Sequence, residues 1–158
     1  MLTQTDDYFY MGLALDEARK AAREGEVPIG AVVVVGGKVI ASAHNMTQAL
    51  TDVTAHAEML ALTAAQSALG KYLSDATLYV TVEPCLMCAG AISWARPARV
   101  VYGAPEPRIG YTTMVSRSPL HPRTRIVGGI RADEASEIMK DFFRSRRPTR
   151  TDNDASAI

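Results

Sequence analysis

Thr77-Leu78-Tyr79-Val80-Thr81-Val82-Glu83-Pro84-Cys85-Leu86-Met87-Cys88 reads as a buried strand running straight into a helix. The first six residues are β-branched, aromatic or leucine, the composition of a strand covered on both faces. Pro84 suits the first helical position, where a missing N–H costs nothing. Cys85 and Cys88 are the only cysteines of the chain. Residues i and i+3 share a helix face, so both sulfurs can point at a single object. The partial positive charge of a helix N-terminus favours thiolate over thiol. Two thiolates aimed at one point are a redox pair or half of a metal site, and a disulfide across so short a loop on a helix face has the wrong geometry.

Working outward, the flanks predict alternating elements. Asp6 or Asp7 can cap a helix to about Glu24 with Phe9, Leu13, Ala14, Ala18 and Ala21 on its apolar face. The run 28–35 is a buried strand. Gly36-Gly37 is a two-residue hairpin turn, and 38–43 returns antiparallel. After a polar loop from His44 to Thr54, residues 55–65 form an alanine- and leucine-rich helix capped by Thr54, and Gly70 ends that unit. Downstream of the cysteine helix, which runs to about Ala95, residues 99–103 are a further strand. Residues 105–122 are a long loop or a broken helix, 125–127 a short strand, and 133–146 an amphipathic helix on Ala135, Ile138, Met139 and Phe142. A hairpin followed by strand–helix alternation predicts an α/β fold with a mixed sheet and helices on both faces. One domain spans 1–147, and the polar tail 148–158 is expected to be disordered.

The composition narrows the function. Seventeen basic and 17 acidic residues cancel, so any nucleic-acid footprint has to be local. The acidic start, without a signal-type apolar segment, and the lack of a membrane-length apolar run predict a soluble, cytoplasmic protein with no membrane partner.

Catalytic zinc takes three protein ligands and keeps a fourth position for water. Cys85 and Cys88 supply two, and only His44, His56 and His121 can supply an imidazole. His56 begins its helix and Glu58 follows two positions later. In a regular helix such residues diverge by roughly 200°, so His56 is expected at the irregular helix start, with the longer glutamate reaching the metal's open side. His56, Cys85 and Cys88 then hold one Zn²⁺ per chain, and Glu58 is the catalytic proton carrier of a hydrolytic deamination.

His56-Ala57-Glu58 followed, a strand later, by Pro84-Cys85-Leu86-Met87-Cys88 resembles the signature of the zinc-dependent nucleobase deaminases. The chain is most similar to the bacterial tRNA-specific adenosine deaminases in Glu26-Val27-Pro28-Ile29-Gly30-Ala31-Val32, His44-Asn45, Asp52-Val53-Thr54-Ala55-His56-Ala57-Glu58, 76–91, 99–104 and Asp141-Phe142-Phe143-Arg144-Ser145-Arg146-Arg147. The resemblance spans residues 8 to 147. It implies a cytidine-deaminase-like three-layer α/β/α fold on a five-stranded mixed sheet. It also implies a homodimer with active sites near the subunit interface, and conversion of the wobble adenosine of an arginine tRNA anticodon to inosine. Asn45 is then expected to contact the flipped nucleotide, and the loop after Tyr102 to lie against the anticodon loop. There relatives read Gly-Ala-x-Asp-x-Lys-x-Gly where this chain has Gly103-Ala104-Pro105-Glu106-Pro107-Arg108-Ile109-Gly110, so Glu106 and Arg108 stand as the substrate-binding candidates. Arg144, Arg146 and Arg147, with Arg150, are the candidates for RNA phosphates.

Other readings compete. The cysteines alone could be a redox pair, or a structural zinc of a nucleic-acid-binding module could take His44 or His121 as fourth ligand. Trp94-Ala95-Arg96-Pro97 resembles guanine deaminases, which makes a free base the alternative substrate. Asn45 could be a turn residue, the arginines a solvated helix end, and Met59, Met87 and Met114 core filling.

Overall fold

A computed structural model describes residues 3–147. The tail 148–158, with Arg150, lies outside the described residues. The elements run α1 (Gln4–Arg23), β1 (Gly30–Val35), β2 (Lys38–His44), α2 (Ala57–Leu69), β3 (Thr77–Val82), α3 (Leu86–Ala95), β4 (Arg99–Ala104), α4 (Tyr111–Met114), β5 (Arg125–Val127) and α5 (Ala132–Arg146). The five-stranded sheet has the order β2-β1-β3-β4-β5. β1 is antiparallel to both neighbours, while β3, β4 and β5 are mutually parallel. This is the mixed sheet with an N-terminal hairpin that the sequence predicts.

Strand alternation sorts the core into two layers. Ala31, Val33, Leu78, Val80 and Val100 face Ala61, Leu62 and Ala65 of α2 and Ala89 and Ile92 of α3. Val32, Val34, Tyr79 and Val101 face Met11, Ala14 and Leu15 of α1 and Ala135 of α5. β1 and β3 serve both layers, which is why they lack polar alternation. Gly36 and Gly37 both take positive φ, 56° and 75°, as a type I′ hairpin turn requires.

Several boundaries move for identifiable reasons. α1 is capped by Thr3 rather than Asp6 or Asp7, because Thr3 and Asp6 form a reciprocal capping box. Asp7 then lies one step further in, where its carboxylate is buried. Phe9 is exposed, since Tyr10, Met11 and Leu15 take the inward face. Thr54 does not cap α2: its N–H and hydroxyl both donate to Asp52 Oδ1, at 2.8 and 2.7 Å, and the N-cap is His56. Pro84 precedes α3 instead of opening it, because Cys85 keeps an extended conformation as N-cap. Met87 and Met114 are exposed and Met59 half-buried, so they do not fill the core.

The topology creates two unlike edges. β2, β3 and β4 point the same way, so His44, Val82 and Ala104 end at one edge, and the segments leaving it carry the candidate site. At the other edge Asp7 accepts the Tyr79 hydroxyl at 2.7 Å and a bidentate Arg99 pair at 3.0 and 2.8 Å.

Candidate active site

His56, at the N-cap of α2, has extended dihedrals of φ −73° and ψ 154°. Its position outside the regular helix removes the divergence that would otherwise separate it from Glu58. Cys85 is likewise an N-cap, and Cys88 sits three residues on, so two helix starts from adjacent crossovers converge. His56 Nδ1 lies 3.7 Å from Cys85 Sγ and 3.5 Å from Cys88 Sγ. The three donor atoms fall within 4.8 Å of one another. Among the described residues this is the one such group of three.

The electrostatics suit a cation. A hydrogen bond from Cys88, with His56 adding to it, outweighs burial and pulls the Cys85 thiol down to about 4. Cys88 is pushed upward by its bond to Cys85, by burial and by nearby Glu58. Glu58 is 3% exposed, and burial raises its carboxyl to about 7. Its Oε2 is buried without a hydrogen-bond partner. Such an atom carries an unmet cost unless a ligand completes it.

Zinc fits this donor set. Zn–N near 2.0–2.1 Å and Zn–S near 2.3 Å in a tetrahedron place nitrogen and sulfur about 3.6 Å apart, and the observed separations bracket that value. His44 is not a fourth ligand: its Nδ1 meets Glu17 at 2.9 Å and its Nε2 meets Glu24 at 2.7 Å. His121 Nδ1 accepts the Arg123 amide. Among the described residues no further His, Cys, Asp or Glu joins His56, Cys85 and Cys88 in the group.

Asn45 follows β2 and is 6% exposed; its Oδ1 is likewise a buried side-chain atom without a partner. A turn role would have satisfied that oxygen locally. Glu106 and Arg108 lie in the segment that follows β4, a few residues before Gly110, which forms a bridge with Cys85. With Arg144, Arg146 and Arg147 they line a cleft of about 860 Å³ floored by Val82, Ala104, Met139 and Phe143. Its closest approach in sequence to the cluster is Val82, three residues before Cys85. Glu106 is turned back, accepting the Arg108 N–H at 2.9 Å, whereas the Arg108 side chain is 83% exposed. Arg144 pairs with Asp141, and Arg146 stacks on Phe142.

Two carboxylates that sequence reading passed over hold the flanking loops. Glu26, 1% exposed, accepts from Gln48 N at 3.1 Å and Ala49 N at 2.7 Å in the loop before His56. Glu83, 5% exposed, accepts backbone N–H groups of Glu106 and Thr112. The signal was present, since an acidic residue beside a buried strand has to find donors.

The sequence pattern of the cytidine and deoxycytidylate deaminase zinc-binding region matches residues 4–104. The chain belongs to this family of zinc-dependent deaminases. More particularly, it is 47% identical over 143 residues to the tRNA-specific adenosine deaminase of Agrobacterium fabrum (strain C58 / ATCC 33970), covering 87% of this chain and 94% of that protein. A structure from a study of A-to-I editing by tRNA:A34 deaminases at the wobble position of transfer RNA superposes with a TM-score of 0.76 and 47% identity, covering 82% of this chain and 98% of the other. The guanine deaminase of Bacillus subtilis gives a TM-score of 0.59 and 38% identity over 67% of this chain and 66% of its own.

Proposed function

We infer that this chain hydrolyses the wobble adenosine of a tRNA anticodon to inosine and ammonia, and that the tRNA is an arginine tRNA. The observation that carries the chemistry is the buried Glu58 carboxylate, with one oxygen unpartnered, beside two thiols and an imidazole. His56, Cys85 and Cys88 hold the Zn²⁺, one per chain. A bound zinc ion lowers the pKa of water and so supplies a nucleophile at neutral pH. Glu58 accepts one proton of the attacking water and delivers it to the purine ring nitrogen; it then carries the second, from the new hydroxyl, to the amine, which leaves as ammonia while the carbonyl forms. Asn45 offers its free Oδ1 to the flipped nucleotide. Oxygen enters at the ring carbon as nitrogen departs, so no redox partner is needed.

The similarity to tRNA-specific adenosine deaminases over nearly their whole length supports RNA over a free base. The cleft between the 105–110 loop and α5 supplies Arg108, Arg144, Arg146 and Arg147 for the anticodon phosphates. A homodimer is part of this reading. α3 leaves Leu86, Met87 and Trp94 exposed on its outer face, Trp94 by 74%, an apolar surface suited to a second copy. The described residues include no helix long and apolar enough to cross a membrane; a cytoplasmic location is part of this reading and is supported by the tRNA substrate. Incubation with an arginine tRNA bearing a wobble adenosine, and separately with guanine, tests the reading. Inosine in the tRNA with little ammonia from guanine is expected; efficient guanine deamination without inosine would replace it with the free-base alternative.

A further inference from the structure

Glu83 lies two residues before Cys85, and its carboxylate is taken up by the segment that follows β4. Oε2 accepts the Glu106 N–H at 3.1 Å, and Oε1 accepts the Thr112 N–H at 3.1 Å and the Thr112 hydroxyl. No lysine or arginine of the described residues pairs with it. The loop's own donors are what compensate a carboxylate that is 5% exposed. Around it, Tyr111 N–H donates to Pro84 C=O at 3.0 Å, and Cys85 and Gly110 form an isolated bridge.

Gly110 supplies an independent observation. Its dihedrals, φ −59° and ψ 144°, suit any residue, so the glycine is needed for space. A Cβ there would lie 2.5 Å from the Glu106 carbonyl and 2.6 Å from the Glu83 carboxyl carbon. The missing side chain is the room in which the carboxylate sits.

We propose that Glu83 is a positioning residue that locks the 106–112 loop, and with it Arg108, in register with the zinc ligand Cys85. This rests on the reading of that loop as a substrate-binding surface. One rigid segment, 83–85, thereby carries a metal ligand at one end and the loop's anchor at the other. Loop placement and metal placement become a single geometric variable. Pro105 and Pro107, on either side of Glu106, limit the loop's alternatives further.

The test uses Glu83→Gln in the full chain. A carboxamide presents one oxygen and one NH₂, so it cannot accept from both backbone amides as the carboxylate does. Expected are one zinc per chain as in the parent, and amide exchange at Glu106 and Thr112 faster by about tenfold or more. On an anticodon stem-loop with a wobble adenosine, KM should rise about tenfold while kcat stays within about threefold. Gly110→Ala should reproduce this pattern, and Glu83→Gln with Gly110→Ala should lose no more than the worse single variant, because both act on one contact. Thr112→Val, which removes only the hydroxyl, should give the same pattern more weakly and keeps the test alive if Glu83→Gln does not fold. Unchanged exchange, additive losses, or a fall in kcat at constant KM would overturn the proposal. Should the parent chain leave that RNA untouched, the substrate reading fails, and the exchange data still decide the lock.

Discussion

The two edges of the sheet each hold a buried carboxylate, and they behave oppositely. At the edge where β3 and β4 begin, Asp7 has hydrogen bonds to both oxygens. Burial alone would raise its carboxyl, but the Arg99 and Tyr79 hydrogen bonds outweigh burial and hold it below the usual carboxylate range. Glu58, near the edge where those strands end, is just as buried, yet one oxygen has no partner and its carboxyl is pushed up to about 7. A satisfied buried charge belongs to the fold; an unsatisfied one is a cost that only a ligand or a reaction repays. The contrast assigns stability to one edge and chemistry to the other.

The contrast is most vulnerable at His56, Cys85 and Cys88, the proposed zinc ligands. Cys85→Ala, Cys88→Ala or His56→Ala should each remove zinc and reduce deamination to background, with lowered thermal stability because metal binding and folding are linked. Metal analysis alongside the assay checks this; a variant that retains a full zinc complement would strike that residue from the ligand set. At the opposite edge, Asp7→Ala strands the Arg99 guanidinium and the Tyr79 hydroxyl and should cost about 3–5 kcal/mol in urea unfolding, with the zinc content untouched.

The Asp7 and His44 pairs also respond oppositely to pH. The Asp7 pKa is depressed in the folded state, so its contribution is present above the unfolded value near 3.9 and disappears as pH falls through the folded one. His44 has the other sign. Burial alone would lower it, but Glu17 and Glu24 outweigh burial and raise its pKa. Its contribution is complete below about 6.5 and is lost as pH rises through the higher folded value. Tm measured against pH should therefore decline on the alkaline side in the parent and decline less in His44→Gln. An identical slope would mean the His44 pair contributes nothing.

The metal cluster was legible because its chemistry lies in residue type and spacing. His56-Ala57-Glu58 and Cys85-x-x-Cys88 need only two helix starts at one sheet edge, and the strand–helix alternation supplies those. The buried loop anchors were not. An acidic residue beside a buried strand signals that donors are needed, but Glu26 and Glu83 draw them chiefly from backbone amides, which carry no residue identity, so the sequence does not say which loop supplies them. Capping was misjudged where two candidates competed: Asp52 captures Thr54, and Asp6 serves Thr3, leaving Asp7 free for the interior. Met87 failed as a core residue because α3 presents Cys88, Ala89 and Ile92 inward, and one helix cannot bury every face.

The smallest effect concerns the basic cleft, which belongs to neither carboxylate. Neutralising Arg144, Arg146 and Arg147 together should weaken tRNA affinity and flatten its log–log salt dependence by roughly one unit per lost phosphate contact, leaving zinc content and Tm unchanged. An unaltered salt slope would make these arginines a solvated helix end.

Two isosteric changes measured side by side separate the roles of the two carboxylates: Glu58→Gln and Asp7→Asn, each assayed for zinc, Tm and inosine formed in a wobble-adenosine tRNA. Glu58→Gln should keep one zinc and at least the parental Tm while turnover falls ~10²–10⁴-fold or more, the loss expected when a proton carrier is removed. Asp7→Asn should lose Tm and keep its turnover per folded, zinc-loaded chain. A Glu58→Gln chain that unfolds early but still makes inosine at the parental rate would contradict the assignment of chemistry to that edge.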